Sequence, residues 1–217
     1  MISNSQAMQD VFVLSVLKKK SNGFYIEIGA NCPLSRGSNS LILEKTYGWK
    51  GLMVEYDTVF KQSYINNRPN SYYIINDARK INYREFFDEK NFPLNIDYLQ
   101  IDLDVDNRST LDVLELFDET IFGDYKFATI TFEHDIYTGN HFNTRTLSRE
   151  IFLKHGYILV FPDVQTDDVN PRRFVPFEDW YIHPDLVDIE YINKIKTDIS
   201  LNYLEIEKIL NECWKAT

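Results

Sequence analysis

The sequence predicts an α/β domain: seven strands in a mostly parallel sheet with an antiparallel last strand, and helices on both faces. Three observations lead there. Short apolar runs of strand character alternate with segments whose apolar residues recur at helical spacing, the order that a parallel sheet with crossover helices requires. The two late strands, "YILVFPDV" (157–164) and "RFVPFEDWYI" (173–182), have no helix between them and must therefore join antiparallel. The 217 residues suffice for one sizeable core, and no repeat or Pro/Gly linker divides them.

The elements follow in order. Residues 5–20 place Met8, Val11, Leu14 and Leu17 on one helical face, within an N-terminal helical segment over 1–22. "FYIEIGA" (24–30) is the first strand, and "SNSLILEKTYG" (38–48) is a helix that stops at Gly48. "KGLMVEYD" (50–57) and "TVFKQSYINN" (58–67) give the second strand and its helix, "SYYIIN" (71–76) the third strand, and "NYREFFDEKN" (82–91) a short helix or turn. "IDYLQIDLD" (96–104) is the fourth strand. The next helix begins near Ser109, where Ser109 and Asp112 have the spacing of a capping box. "KFATITFEH" (126–134) and "NTRTLSREIFLKHG" (143–156) complete the alternation before the late strands, and a helical tail is expected over 191–217. One domain over 1–217 is the reading.

Composition limits the function. A net charge of -10 argues against a nucleic-acid partner, because neutralising phosphates needs clustered Lys and Arg. The one basic run, Lys18-Lys19-Lys20, fits the end of a helix, where cations suit the dipole. Two cysteines, Cys32 and Cys213, make neither a disulfide framework nor a zinc site. No signal segment is visible and no apolar run approaches the length of a bilayer span, so a cytoplasmic location is expected.

Acids gather where strands end. Glu27 and Gly29 close strand one, Glu55 closes strand two, and Asp77 follows strand three. Asp102 and Asp104 end strand four, and Glu133, His134 and Asp135 end strand five. In open α/β sheets ligands bind beyond the carboxyl ends of the strands. The Gly29-Ala30-Asn31 turn allows close backbone approach. Glu55 is placed to accept from both hydroxyls of a ribose, and Asp77, beside the small Ala78, from an adenine amino group. Glu27 either orients the turn by capping local N–H groups or receives an ammonium. A dinucleotide enzyme would want G-x-G-x-x-G in the first turn, which here is G-A-N-C-P-L. S-adenosylmethionine has no phosphate and tolerates that turn.

"GFYIEIGAN…SNSLILEKTYGWKGLMVEYD", "DYLQIDLD" and "FATITFEHD" resemble the FkbM-type S-adenosylmethionine-dependent methyltransferases, over Ser5 to about His183. The resemblance implies a class I (Rossmann-like) methyltransferase fold and methyl transfer to oxygen, often of a sugar. By position it implies that Glu27, Gly29, Ala30 and Asn31 contact the methionine part, Glu55 the ribose, Asp77 and Ala78 the adenine, and that Asp102 lies near the sulfonium. "DLDVDNRSTLD" also looks like a stretch of the macrocin-type sugar O-methyltransferases. By that likeness Asp102, Glu133 and His134 would hold Mg2+, although His134 departs from the oxygen ligands that magnesium prefers.

An alcohol acceptor needs a base. His134 is the first candidate, because a histidine titrates near the operating pH, Asp104 is the second, and Asp102 is counted with them as catalytic. Residues around Tyr137–Asn140 are expected at the acceptor, with Trp180 and Tyr181 either stacking on a sugar face or filling the core. The expected acceptor is a carbohydrate hydroxyl; another small-molecule hydroxyl or carboxyl, or a nucleoside-binding module without turnover, are the alternatives.

Overall fold

The computed structural model describes residues 2–34, 37–103, 108–139, 142–168 and 173–215. Its centre is one seven-stranded sheet. The strands are β1 (Phe24–Ile28), β2 (Lys50–Glu55), β3 (Tyr72–Ile75), β4 (Asn95–Ile101), β5 (Lys126–Glu133), β6 (Ile158–Thr166) and β7 (Val175–Ile182). They lie in the order β3-β2-β1-β4-β5-β7-β6, with β7 antiparallel to both of its neighbours. From β1 the chain winds outward to β2 and β3, then returns to place β4 on the other side of β1. The β1/β4 boundary is therefore the switch point, where crossovers diverge and leave a crevice.

Side chains alternate along these strands and separate the core into two layers. Ile26, Ile28, Leu52, Val54, Leu99 and Ile101 meet α4 (Tyr83–Glu89), α5 (Ser109–Thr120) and α6 (Phe142–Lys154). On the opposite face, Tyr25, Met53, Tyr98 and Trp180 meet α1 (Gln9–Val16), α2 (Leu41–Tyr47), α3 (Lys61–Asn67), α7 (Ile189–Ile195) and α8 (Tyr203–Lys215). α2 closes at Gly48, whose φ of +71° suits a residue without Cβ. Pro162 lies in β6, an edge strand, where a missing N–H costs least. Among the described residues no helix is long and apolar enough to cross a membrane.

Three local expectations change. The N-terminal helix is shorter than 5–20, because the Asp10 carboxylate captures the Ser3 and Ser5 hydroxyls and the Asn4 N–H, and so holds residues 3–5 out of the helix. At its other end Lys18 and Lys19 have positive φ and form a turn after the helix rather than its last turn. Ser109 does not cap α5. It is the first helical residue, and its hydroxyl donates to the Leu103 carbonyl at 2.7 Å instead.

Candidate functional site

A cavity of about 520 Å³ opens beyond the carboxyl ends of β1 to β4. Gly29, Ala30 and Asn31 reach it from β1, Glu55 from β2, Asp77 and Ala78 from β3, and Asp102 from β4. Neighbouring strands stand roughly 4.8 Å apart, so from β3 to β4 these groups are spread over about 14 Å.

The β1 turn is fixed by backbone. Gly29 and Ala30 both donate their N–H to the Val54 carbonyl at 3.0 Å, and Asp102 N–H donates to the Ile28 carbonyl at 3.0 Å. Gly29 adopts φ +83°, and a Cβ placed there would lie 1.6 Å from the Asp102 carbonyl oxygen. Asn31 is left-handed as well, with φ +46°.

Half-buried Glu55 ties this turn to the one after β2. One carboxylate oxygen accepts from Asn31 N–H at 2.7 Å; the other accepts from Tyr56 and Asp57 N–H at 2.9 and 2.8 Å. A carboxylate offers about four acceptor sites, so about one remains for a ligand hydroxyl. At Asp77, the Arg79 guanidinium forks onto both oxygens at 3.0 and 3.1 Å and holds the carboxyl down at about 2.

Glu27 does not reach the cavity wall. It is buried, its oxygens accepting from Asn39 N–H at 2.7 Å and from the Ser40 hydroxyl. Burial raises its pKa while Arg68 opposes the rise. The acid in the first strand therefore anchors the 37–40 loop, whose Gly37 lines the cavity, and the expected direct contact with a donor gives way to this positioning role.

His134 is a second correction. Its ring is fully buried and does not line the cavity. Nδ1 accepts from Ile136 N–H at 3.3 Å, and Nε2 stands 3.4 Å from Asp163 Oδ1 and 3.6 Å from Asp179 Oδ1. Asp163 also binds Arg145 at 2.6 Å, and Asp179 takes a two-point fork from Arg149 at 2.7 Å. A ring so enclosed has no path to an acceptor hydroxyl. Burial disfavours its charged form, but Asp163 and Asp179 outweigh that and raise its pKa above 6.5.

A pH dependence follows. The raised His134 contributes stability in full below about pH 6.5 and loses it as pH climbs through the folded-state value. Buried Asp179, whose pKa burial would raise but Arg149 and His134 bring down to about 2, contributes above 3.8 and loses it as pH falls through about 2. Melting curves of wild type and His134→Gln should therefore differ most near pH 5 and converge as pH rises past the folded-state value of His134. A gap that widens with rising pH would contradict the cluster.

The expected magnesium set is not assembled. Among the described residues, the group whose ligand atoms lie within 4.8 Å of one another is His134, Asp163 and Asp179, without Asp102 or Glu133. Arg145 and Arg149 already neutralise those carboxylates, and one donor is nitrogen, so this trio does not fit Mg2+. Asp104 and Asn140 lie outside the described residues. Trp180 and Tyr181 are core residues: Trp180 packs on Phe12 and Phe161 and donates to Glu178 at 2.7 Å, while Tyr181 stacks near Phe152 and donates to Asp179.

The structure adds residues that the sequence reading passed over. Gln6 lines the cavity because Asn4 accepts from Gly37 N–H at 2.6 Å and lays the N-terminal segment along that loop. Arg79, Gln100 and Asp168 line it as well. Of these, Gln100 was legible, as a polar residue in an apolar strand two positions before an acid.

No family model matches this chain, and no curated protein matches it. Solved structures do. A candidate hemolysin from Streptococcus thermophilus aligns with a TM-score of 0.53 and 10% identity, over 96% of this chain and 73% of its own. A candidate rRNA methylase from Clostridium thermocellum aligns at 0.50 and 13%, over 84% and 98%. A DUF574 family protein from Streptomyces avermitilis aligns at 0.50 and 12%, over 81% of both chains. At such identities the likeness is one of fold. Together with the strand order and the antiparallel β7, it makes this a class I, Rossmann-like methyltransferase fold.

Proposed function

We propose that the protein is an S-adenosylmethionine-dependent O-methyltransferase of the FkbM type, acting on a hydroxyl of a sugar in a glycan or glycoside. The observation that supports it most is the single cavity wall shared by Gly29, Asn31, Glu55, Asp77 and Asp102, drawn from four adjacent strand ends. Glu55 and Asp77 would hold the nucleoside, and Asp102 with the 29–31 turn the amino-acid tail. The donor brings an electrophilic methyl group on a cationic sulfur. Among the described lining residues Glu55, Asp77, Asp102 and Asp168 face one cation, Arg79, itself committed to Asp77. That surplus of acid suits a cationic donor and an uncharged polar acceptor, and disfavours phosphate-rich ones.

With His134 enclosed and Asp102 given to the donor, deprotonation of the acceptor falls to Asp168, which also lines the cavity. Positioning the hydroxyl in line with the carbon–sulfur bond can supply roughly 7–11 kcal/mol of the barrier. Because the trio at His134 does not fit magnesium, no metal enters this scheme.

Calorimetric titration with S-adenosylmethionine, S-adenosylhomocysteine and NAD tests the donor; binding of NAD alone would overturn it. Methyl transfer to a panel of glycosides tests the acceptor, and turnover only on non-sugar hydroxyls or carboxyls would redirect it. Glu55→Ala should weaken S-adenosylhomocysteine binding by about 1.5–3 kcal/mol, roughly 10- to 100-fold, the range for hydrogen bonds to a charged group. Unchanged affinity in a folded variant would remove Glu55 from the site.

A further inference from the structure

Residues 3–8 are fixed along the 37–40 loop. The Asn4 carbonyl accepts from Gly37 N–H at 2.6 Å, the Asn4 amide donates to the Ser38 carbonyl at 3.2 Å, and Ser5 pairs with Gly37 in an isolated parallel bridge. From the other side, fully buried Asp10 accepts from the Ser3 hydroxyl at 2.6 Å, Asn4 N–H at 2.8 Å and the Ser5 hydroxyl at 2.7 Å. Ala7 N–H donates to Gln9 Oε1 at 2.8 Å, and Met8 turns into α1 through φ +66°. One side chain of the set stands apart. The half-buried Gln6 amide makes no hydrogen bond to any described residue, and it lines the cavity. Ordering a terminal segment costs conformational entropy. Here that order delivers a single unbonded amide to a ligand-sized space.

The position of Gln6 says which ligand it suits. The donor is matched by the ends of β1 to β4. Gln6 and Asp168 reach the same cavity from elsewhere, one from the N-terminal segment and one from beyond β6. Thr166, the last residue of β6, pairs with Val175, the first of β7, while Glu133 at the end of β5 pairs further along with Glu178. Asp168 therefore leaves the sheet past the carboxyl end of β5. A carboxylate only accepts, whereas a primary amide both donates and accepts, as a hydroxyl does. Sugars carry hydroxyls on neighbouring carbons. With Asp168 taking the proton of one, an uncharged group that can donate and accept is what the next one needs.

We infer that Gln6 is a specificity-determining residue for the acceptor: its amide binds the hydroxyl adjacent to the one that is methylated, and so selects a vicinal diol over an isolated hydroxyl. This rests on the sugar-acceptor reading above, with Asp168 as the base.

The test uses the full chain. The glycoside that turns over is compared with its monodeoxy analogues at the carbons next to the methylated oxygen. In wild type, kcat/KM is expected to fall about 3- to 10-fold for one analogue, the scale of a single hydrogen bond between neutral groups. Gln6→Met should impose a loss of the same size on the parent glycoside, add nothing to the loss for that analogue, and leave S-adenosylhomocysteine affinity unchanged. Equal further losses on parent and analogue would show that Gln6 only shapes the cavity, and weakened S-adenosylhomocysteine binding would place it on the donor; either overturns the inference while the sugar reading stands, as does an unchanged kcat/KM. Wild type that methylates only non-sugar acceptors overturns the sugar reading and this inference together. Should the methionine variant not fold, Gln6→Glu, which lacks the amide donors, decides on the same comparison.

Discussion

Gly29→Ala should cost about 3 kcal/mol or more of folding stability and abolish measurable binding of S-adenosylhomocysteine. Two penalties combine. The left-handed conformation at φ +83° costs a residue with Cβ roughly 1–2 kcal/mol. The new methyl would also sit 1.6 Å from the Asp102 carbonyl oxygen, and backbone has no rotamer by which to withdraw. The β1 turn must then separate from β4 at the switch point, where Asp102 N–H bonds the Ile28 carbonyl. Gly156→Ala is the control, since φ there is +80° with nothing within 4 Å of the added Cβ. It should cost only the conformational part, about 1–2 kcal/mol. Urea denaturation of the two variants measures the difference directly. Equal losses would mean that β1 and β4 do not approach so closely.

The parts of this molecule that were legible in the sequence are those set by local periodicity. Alternating apolar runs gave the strands, and acids interrupting them at Glu55, Asp77 and Asp102 gave the cavity wall. A surface requirement shows itself where it breaks a core pattern. Glu27 broke the pattern equally clearly, but the pattern does not choose between its two readings, capping local N–H groups or receiving an ammonium, and the structure selects the first. Its partners Asn39, Ser40 and Arg68 arrive from other segments, and a strand position alone does not say whether a side chain at its end faces ligand or loop. His134 failed for a similar reason. It stands at the end of β5 as expected, but Asp163, held at φ +49° within an irregular β6, folds over it together with Asp179. Bulges of that kind have no sequence period. In the N-terminal segment Met8, Val11, Leu14 and Leu17 have helical spacing, but hydrogen bonds to Asp10 override that spacing before Gln9 and deliver Gln6 to the site.

Removing Arg68 is expected to be the other severe lesion, and it tests whether the Glu27 anchor matters. The guanidinium is fully buried and serves four segments at once. It bonds Glu44 at 2.8 Å, the Tyr25 hydroxyl at 2.8 Å, the Ser40 hydroxyl at 2.7 Å and the Pro33 carbonyl at 3.3 Å. Ser40 in turn donates to Glu27, so β1, α2 and the loop that walls the cavity share one cation. Arg68→Met keeps much of the volume but strands two buried carboxylates, and breaking a buried pair from one side typically costs 3–5 kcal/mol. The pH dependence carries a definite sign. Glu27 is already raised above 4.5 by burial, with Arg68 restraining the rise. Without Arg68 it rises further, and a carboxyl raised in the folded state binds its proton more tightly there than in the unfolded chain. Stability of the variant should therefore fall as pH climbs from 4.5 through the folded-state value, and the deficit against wild type should narrow toward pH 5. Adding Glu44→Met should recover only part of the loss, because Glu27 remains uncompensated. A deficit under about 1 kcal/mol at pH 7, the scale of an exposed ion pair, would show that the loop does not depend on this network.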